Sequence, residues 1–277
     1  VDQVTDPIAD HGEGPMWDGS RLRWVDMIAG DVLELVDSGV ARTHVGAVAA
    51  ALRPVEGGGL VLAVERGFAF ADDDLNDVAP LAELWSDPSV RMNEGGCDPD
   101  GRFYCGSMAY DTRTGAGTLY RLAGTGAVTT VFGDVTISNG LAWNPAGDQA
   151  YYVDTPTGRI DVFDYDGELR NRRPAARIQS QTGGPDGLTV DSAGRIWVAL
   201  WGGGAVQCYE PSGELVHQLR VPTTNVTACT FGGPDLDTLY ITTSQHRVDL
   251  SAEPLAGALF QAKVGATGQP TLPYRRV

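Results

Sequence analysis

The chain has 277 residues, 42% of them apolar, with 36 acidic against 20 basic side chains and a formal charge of −16. Six Trp, nine Tyr and seven Phe, together with abundant Val, Leu and Ile, supply a core and exclude intrinsic disorder. Charge of this sign argues against DNA or RNA as a partner, because nucleic-acid affinity comes from Lys and Arg displacing condensed counterions. No run approaches the roughly 18 to 20 apolar residues of a membrane helix, so no membrane partner is expected. The opening Val1-Asp2-Gln3-Val4-Thr5-Asp6-Pro7 lacks the basic and apolar regions of a signal peptide, so the chain reads as soluble, unexported and cytoplasmic. Cys97, Cys105, Cys208 and Cys229 read as buried, reduced thiols, and the sequon Asn225-Val226-Thr227 carries no weight without export.

Gly (36) and Pro (16) are spread along the whole chain, and the runs between them are short, rich in Val, Ile, Tyr, Trp and Thr, and free of any long 3.6-residue stripe. That is an all-β pattern. One unit recurs: an apolar strand, a tight turn with Asp or Asn followed by Gly, and a second strand carrying an aromatic residue. In chain order it begins at Glu13 (turn Asp18-Gly19), Asn93 (Asp98 to Gly101), Asn139 (Asn144 to Gly147) and Asp186 (Asp191 to Gly194). Weaker copies begin at Leu52 and Val226, so the starts lie 39, 41, 46, 47 and 40 residues apart. Units of about 40 to 47 residues have the length of a four-stranded blade, and six of them fill residues 1–277 as one six-bladed β-propeller domain. The lack of a Gly-His…Trp-Asp pattern separates it from WD40 propellers. Closing the ring calls for Val1–Ala9 and Ala258–Val264 to share the last blade.

Five residues before each turn Asp or Asn stand Glu13, Asn93, Asn139 and Asp186. The first strand of a blade lines the central channel, so these equivalent positions form a ring at one mouth. Any one of them alone reads as a strand start or a turn hydrogen bond, whereas four at one offset in a repeat read as a site. Two carboxylates and an amide carbonyl aimed at one point repel unless a cation lies between them. All-oxygen ligation suits one hard divalent cation, Ca²⁺ first, with Mg²⁺, Mn²⁺, Fe²⁺ or Zn²⁺ as alternatives.

Glu13-Gly14-Pro15, Arg91-Met92-Asn93, Ser138-Asn139-Gly140-Leu141 and Pro185-Asp186-Gly187, in this order over essentially the whole chain, resemble the SMP-30/gluconolactonase/luciferin-regenerating-enzyme family. The resemblance implies a six-bladed propeller in which Glu13, Asn139 and Asp186 hold one divalent cation, while Arg91 and Asn93 bind substrate hydroxyls. It also implies an acidic substrate contact after Gly106-Ser107-Met108-Ala109, where this chain has Asp111, one methylene shorter than regucalcin-like members have. Ala199-Leu200-Trp201-Gly202-Gly203-Gly204 and the segment Phe231–Tyr240 look similar to the bacterial sugar-lactonase branch, which points to an aldonolactone such as gluconolactone or a pentonolactone as the small-molecule partner.

A lactone is a cyclic ester, and a cation with open positions polarises its carbonyl and activates water, so no protein nucleophile is needed. Asp186 is the expected general base and later proton donor to the leaving alkoxide. Arg91 offers a fork of donors to adjacent hydroxyls; its alternative is a surface pair with Asp87. No Gly-x-Ser-x-Gly, His-Glu-x-x-His, Walker or Cys-x-x-Cys pattern supports a rival chemistry, and His11, two residues before Glu13 and within reach of the site mouth, reads as an ordinary loop histidine. Asp72-x-Asp74-x-Asn76 mimics EF-hand spacing but has Asp77 where the turn needs Gly, so it reads as a solvated loop. The triplets 57–59 and 202–204 read as hairpin turns, Trp85 and Trp197 as packing residues, and Trp201 as a pocket wall. Two other readings remain, a calcium-binding propeller without turnover and a hydrolase of other, phosphotriester-like esters.

Overall fold

A computed structural model describes all residues, Val1–Val277. It is the six-bladed β-propeller that the repeat implies, with six antiparallel sheets of four strands each. The blades span residues 12–44, 49–80, 90–135, 138–177, 184–220 and 226–263, and the last is completed by Asp2–Gln3. Asp2 pairs with Gln261 and Gln3 with Phe260, which closes the ring between the two ends of the chain as the sequence requires.

Burial falls from the axis outward, and the sequence follows it. The innermost and second strands of the third blade, Val90–Cys97 and Phe103–Ala109, are buried throughout, whereas the outermost strands Leu169–Arg177 and Leu215–Arg220 are largely exposed. Strands covered on both faces are continuous and apolar, while edge strands are rich in Arg, Gln and Asn. The turn residue of each clear repeat holds its hairpin: Asp98 Oδ1 accepts from Arg102 N at 2.8 Å and Asp191 Oδ1 from Arg195 N at 2.9 Å. The glycines that complete these turns, Gly101 and Gly194, have φ of 81° and 87°.

Each innermost strand packs against its two neighbours, with Gly12–Trp17 touching both Ala49–Pro54 and Val226–Gly232. This close approach explains the glycine that follows two of the ring residues. A Cβ on Gly140 would lie 2.6 Å from Leu188, and one on Gly187 would lie 2.5 Å from the Cβ of Ala228. All four cysteines are buried and free. No helix is long and apolar enough to cross a membrane.

The C-terminal segment crosses the end of the channel where the innermost strands finish. Gln269 Nε2 donates to Trp143 O and Val190 O at 3.2 and 3.0 Å, Thr271 Oγ1 donates to Trp17 O at 2.7 Å, and Tyr274 N donates to Pro54 O at 2.8 Å. Residues 269–272 thereby floor a cavity of about 100 Å³ whose wall includes Arg53 and Glu94. Glu13, Asn139 and Asp186 lie toward the opposite mouth, where those strands begin.

Candidate active site

All six innermost strands lose register with their neighbour at the same place. The shifts fall between Glu13 and Met16, Ala49 and Ala51, Met92 and Gly95, Ser138 and Leu141, Pro185 and Leu188, and Val226 and Ala228. A bulge bends a strand and re-aims the side chain it carries, and the residues at these bulges are Glu13, Ala50, Asn93, Asn139, Asp186 and Thr227. The two weaker repeats therefore align on Ala50 and Thr227 rather than on starts at Leu52 and Val226. Ala50 offers only a methyl group, and the Thr227 hydroxyl bonds Gly12 O at 2.6 Å and the Thr242 hydroxyl at 2.8 Å. The other four carry acidic or amide side chains, and all four are buried.

A hydrogen-bonded line joins Arg91, Asn93 and Asn139. Arg91 Nη1 donates to Asn93 Oδ1 at 2.7 Å, and Asn93 Nδ2 donates to Ser138 O at 2.7 Å and Asn139 Oδ1 at 3.1 Å. Asn139 Nδ2 donates to Thr155 Oγ1 at 2.8 Å, which fixes the amide with its oxygen on the Asn93 side. Arg91 is buried, lies 5.6 Å from the centre of the Tyr110 ring and leaves its Nε without a partner. Asp87 pairs instead with Arg113, which disposes of the surface-pair alternative for Arg91.

Glu13 Oε2 accepts from Gly14 N at 3.0 Å, and burial pushes the Glu13 carboxyl up to about 7. Asp186 is raised well above the usual carboxylate range by burial, then by the charges of Glu13 and Glu94. Glu94 is raised by burial and by Glu13, and its Oε2 has no partner. Sequence reasoning passed over Glu94, although it directly follows Asn93 at the bulge. The backbone amides of Gly14 and Gly187 and the charges of Arg91 and Arg53 oppose this rise, and burial disfavours the charge on both guanidiniums.

These residues fit a hard divalent cation. Buried carboxyls that desolvation and mutual repulsion hold toward the neutral form are the groups that a cation would return to the charged form. No three His, Cys, Asp or Glu side chains gather into a ligand cluster anywhere in the chain. Beside Glu13 and Asp186 the amide oxygen of Asn139 would be the third protein ligand, a donor set suited to Ca²⁺ or Mg²⁺ more than to Zn²⁺.

At the mouth stand His11, Trp201 and His246, with ring centres 5.7 Å apart for His11 and Trp201 and 6.2 Å apart for His11 and His246. His11 is more than the loop histidine of the sequence reading: it bridges to Ser244, and its Nδ1 lies 2.8 Å from the Ser244 hydroxyl. Burial, then the charge of Arg91, holds the ring neutral with its pKa lowered to about 3. Asp111 lies apart from the hydrogen-bonded line, exposed and paired with Arg113 at 3.2 Å. Trp85 stacks on Tyr120 and Trp197 packs edge-on to Phe231.

The SMP-30/gluconolactonase/LRE-like family profile matches residues 11–245, and the chain belongs to that family. It is 37% identical to the pentonolactonase XacC of Haloferax volcanii over 98% of this chain and 96% of that protein. It is 34% identical to the regucalcin of Danio rerio over 95% of this chain and 94% of that protein. A solved structure from Agrobacterium tumefaciens, described as a calcium-binding protein, regucalcin, superposes with a TM-score of 0.94 at 29% identity, covering 100% of this chain and 98% of that one.

Proposed function

We propose that this protein is a divalent-cation-dependent lactonase that opens an aldonolactone to its aldonic acid. The observation that carries the reading is the set of bulge positions, where two raised carboxyls and an oriented amide oxygen adjoin the Arg91–Asn93 pair. Relatives named as a pentonolactonase and as regucalcins support it.

In this reading Glu13, Asn139 and Asp186 hold the cation, Ca²⁺ first, which supplies Lewis-acid polarisation of the ester carbonyl. Asp186 Oδ takes a proton from the attacking water and returns it to the ring oxygen as the C–O bond breaks. Arg91 and Asn93 bind hydroxyls of the sugar, their geometry fixed in advance by the bonds to Met92 O, Ser138 O and Asn139. Asp111 contacts an outer hydroxyl from the rim, and Trp201 walls the pocket. The covered far end of the channel keeps bulk water to one side. Four free, buried cysteines support a reducing compartment, the cytoplasm.

The test is hydrolysis of a panel of aldonolactones, followed with a pH indicator, by chelator-stripped protein to which single divalent ions are returned. Turnover that disappears on stripping and returns with one ion supports the reading. The competing reading, a calcium-binding propeller without turnover, draws on the relatives named regucalcin. Cation binding by calorimetry, with no hydrolysis of any lactone or phosphotriester, would decide for it.

A further inference from the structure

His11 lies where the lactonase reading leaves a requirement unmet. In a six-fold ring the third blade faces the sixth across the channel, and these carry Arg91–Asn93 and Ser244–His246 respectively. His11 leads into the first blade and bridges to Ser244, so it belongs to the wall opposite the guanidinium. On that wall the rings of His11, Trp201 and His246 cluster, with centres 5.7 Å apart for His11 and Trp201 and 6.2 Å apart for His11 and His246.

A polyhydroxylated lactone brings O–H donors as well as acceptors. Arg91 satisfies only acceptors. On the Arg91 side Asn93 Oδ1 already receives Arg91, Asp111 Oδ1 receives Arg113, and Glu13 and Asp186 are taken by the cation and by proton transfer, which leaves Asp111 Oδ2 for an outer hydroxyl at the rim and the opposite wall without an assigned acceptor. His11 supplies what is missing. With the Ser244 hydroxyl proton directed to Asp10 O at 3.2 Å, His11 Nδ1 at 2.8 Å would be the donor to Ser244 Oγ and Nε2 would keep its lone pair, the arrangement we assign. Ser244 is fully buried and also accepts from His246 N at 3.0 Å, so one hydroxyl sets the orientation of the whole wall. Asn225 Nδ2, donating to His246 O at 2.8 Å, anchors the same loop.

We propose that His11 is a specificity-determining residue: clamped by Ser244 and walled by Trp201 and His246, its Nε2 accepts a hydrogen bond from a lactone hydroxyl on the side of the channel opposite Arg91. The proposal rests on the lactonase reading for the reaction but not for the binding. A site built to bond a hydroxyl discriminates against the ring that lacks it, since the acceptor is then left unpaired.

The test compares kcat/KM for an aldonolactone with kcat/KM for an unsubstituted lactone of the same ring size, in the wild type, His11→Phe, His11→Gln and Ser244→Ala. His11→Phe lowers the ratio about tenfold, through KM for the aldonolactone rather than kcat, and His11→Gln, which can place an amide oxygen near the Nε2 position, recovers most of it. Ser244→Ala releases the ring and falls between, so the proposal stays testable where His11→Phe does not fold. An unchanged ratio, or an equal loss on both lactones, overturns the proposal. If the wild type hydrolyses neither lactone, the lactonase reading fails by itself, and His11 is then judged by calorimetric binding of the corresponding aldonic acid to the cation-loaded protein. Binding about tenfold weaker in His11→Phe upholds the proposal, and equal binding, or none to the wild type, overturns it.

Discussion

Asn93 Nδ2 donates to Asn139 Oδ1 at 3.1 Å, and this bond crosses from the third blade to the fourth, tying the proposed substrate side of the site to its proposed cation side. Asn93 also receives Arg91 Nη1 and donates to Ser138 O, so one amide is bonded to a guanidinium, a backbone carbonyl and the Asn139 side chain.

Removing that amide separates substrate binding from cation binding. Asn93→Ala leaves Arg91 without its 2.7 Å partner but keeps Glu13, Asn139 and Asp186. We expect kcat/KM on an aldonolactone to fall about 30-fold, mostly through KM, with the cation Kd within about threefold of the wild type. Asp186→Asn keeps the shape but loses the base, and kcat falls about a thousandfold. Steady-state kinetics paired with calorimetry read both effects, and loss of cation binding in Asn93→Ala would contradict the division.

The raised carboxyls make stability of the cation-free protein depend on pH with a definite sign. Below an unfolded value of 4.5 Glu13 is protonated in both states and contributes nothing; between 4.5 and about 7 the unfolded chain loses the proton while the folded chain keeps it, so stability falls as pH rises. For Glu13 alone the loss is on the order of 3 kcal/mol, and Asp186 and Glu94 shift in the same direction. Chelator-treated protein is expected to melt roughly 5–10 °C lower at about pH 8 than at about pH 5. Calcium restores the loss at the higher pH and changes little at the lower, because the ligands must be deprotonated to bind. Scanning calorimetry across this range checks it, and a melting temperature that rises with pH would refute it.

The fold was legible because six copies of one unit leave little freedom: the turn Asp and Gly mark each hairpin, and closure follows from the two unmatched ends. Four ring positions were legible by the same count from the turn, which works because every innermost strand bulges at the same place. Glu94 escaped because a bulge breaks the alternation by which a residue's neighbour would face away. His11 was legible as within reach of the mouth from its spacing to Glu13 but read as a loop histidine, because its partner, Ser244, lies 233 positions along the chain, a distance that no local pattern spans. Asp111 was marked by its place in a family segment, yet its exposure and its pairing with Arg113 are properties of loops and carry no periodic signal.

Glu94 gives a prediction of its own. Its charge raises Asp186, and its own carboxyl has an oxygen without a partner beside the Arg53 guanidinium, whose bonds go to Leu52 O and Gly95 O at 2.6 and 2.7 Å. Glu94→Gln keeps the shape and removes one of the three charges. The pH window over which the cation-free protein loses stability then closes at a lower pH, because Asp186 ionises more readily without the neighbouring charge, and the total loss becomes smaller. Repeating the calorimetric pH series on this variant checks it, and an unchanged profile would show that Glu94 is not coupled to the ring.

The C-terminal segment makes the last prediction, because it carries the largest buried side chain beyond the blades. Tyr274 is fully buried, its ring centre lies 5.5 Å from that of Phe70, and its hydroxyl donates to Ala123 O at 2.6 Å. It thus pins the end of the chain across the second and third blades, on the face away from the candidate site. Tyr274→Ala is expected to cost about 3–5 kcal/mol, the range for emptying an aromatic-sized space. Tyr274→Phe costs about 1 kcal/mol for the lost bond. Urea unfolding monitored by tryptophan fluorescence measures both. In the Ala variant the cation Kd at moderate temperature stays within about threefold of the wild type, since Glu13, Asn139 and Asp186 lie at the other end of the channel. A Tyr274→Ala protein as stable as the wild type would mean that the segment lies over the channel without holding it.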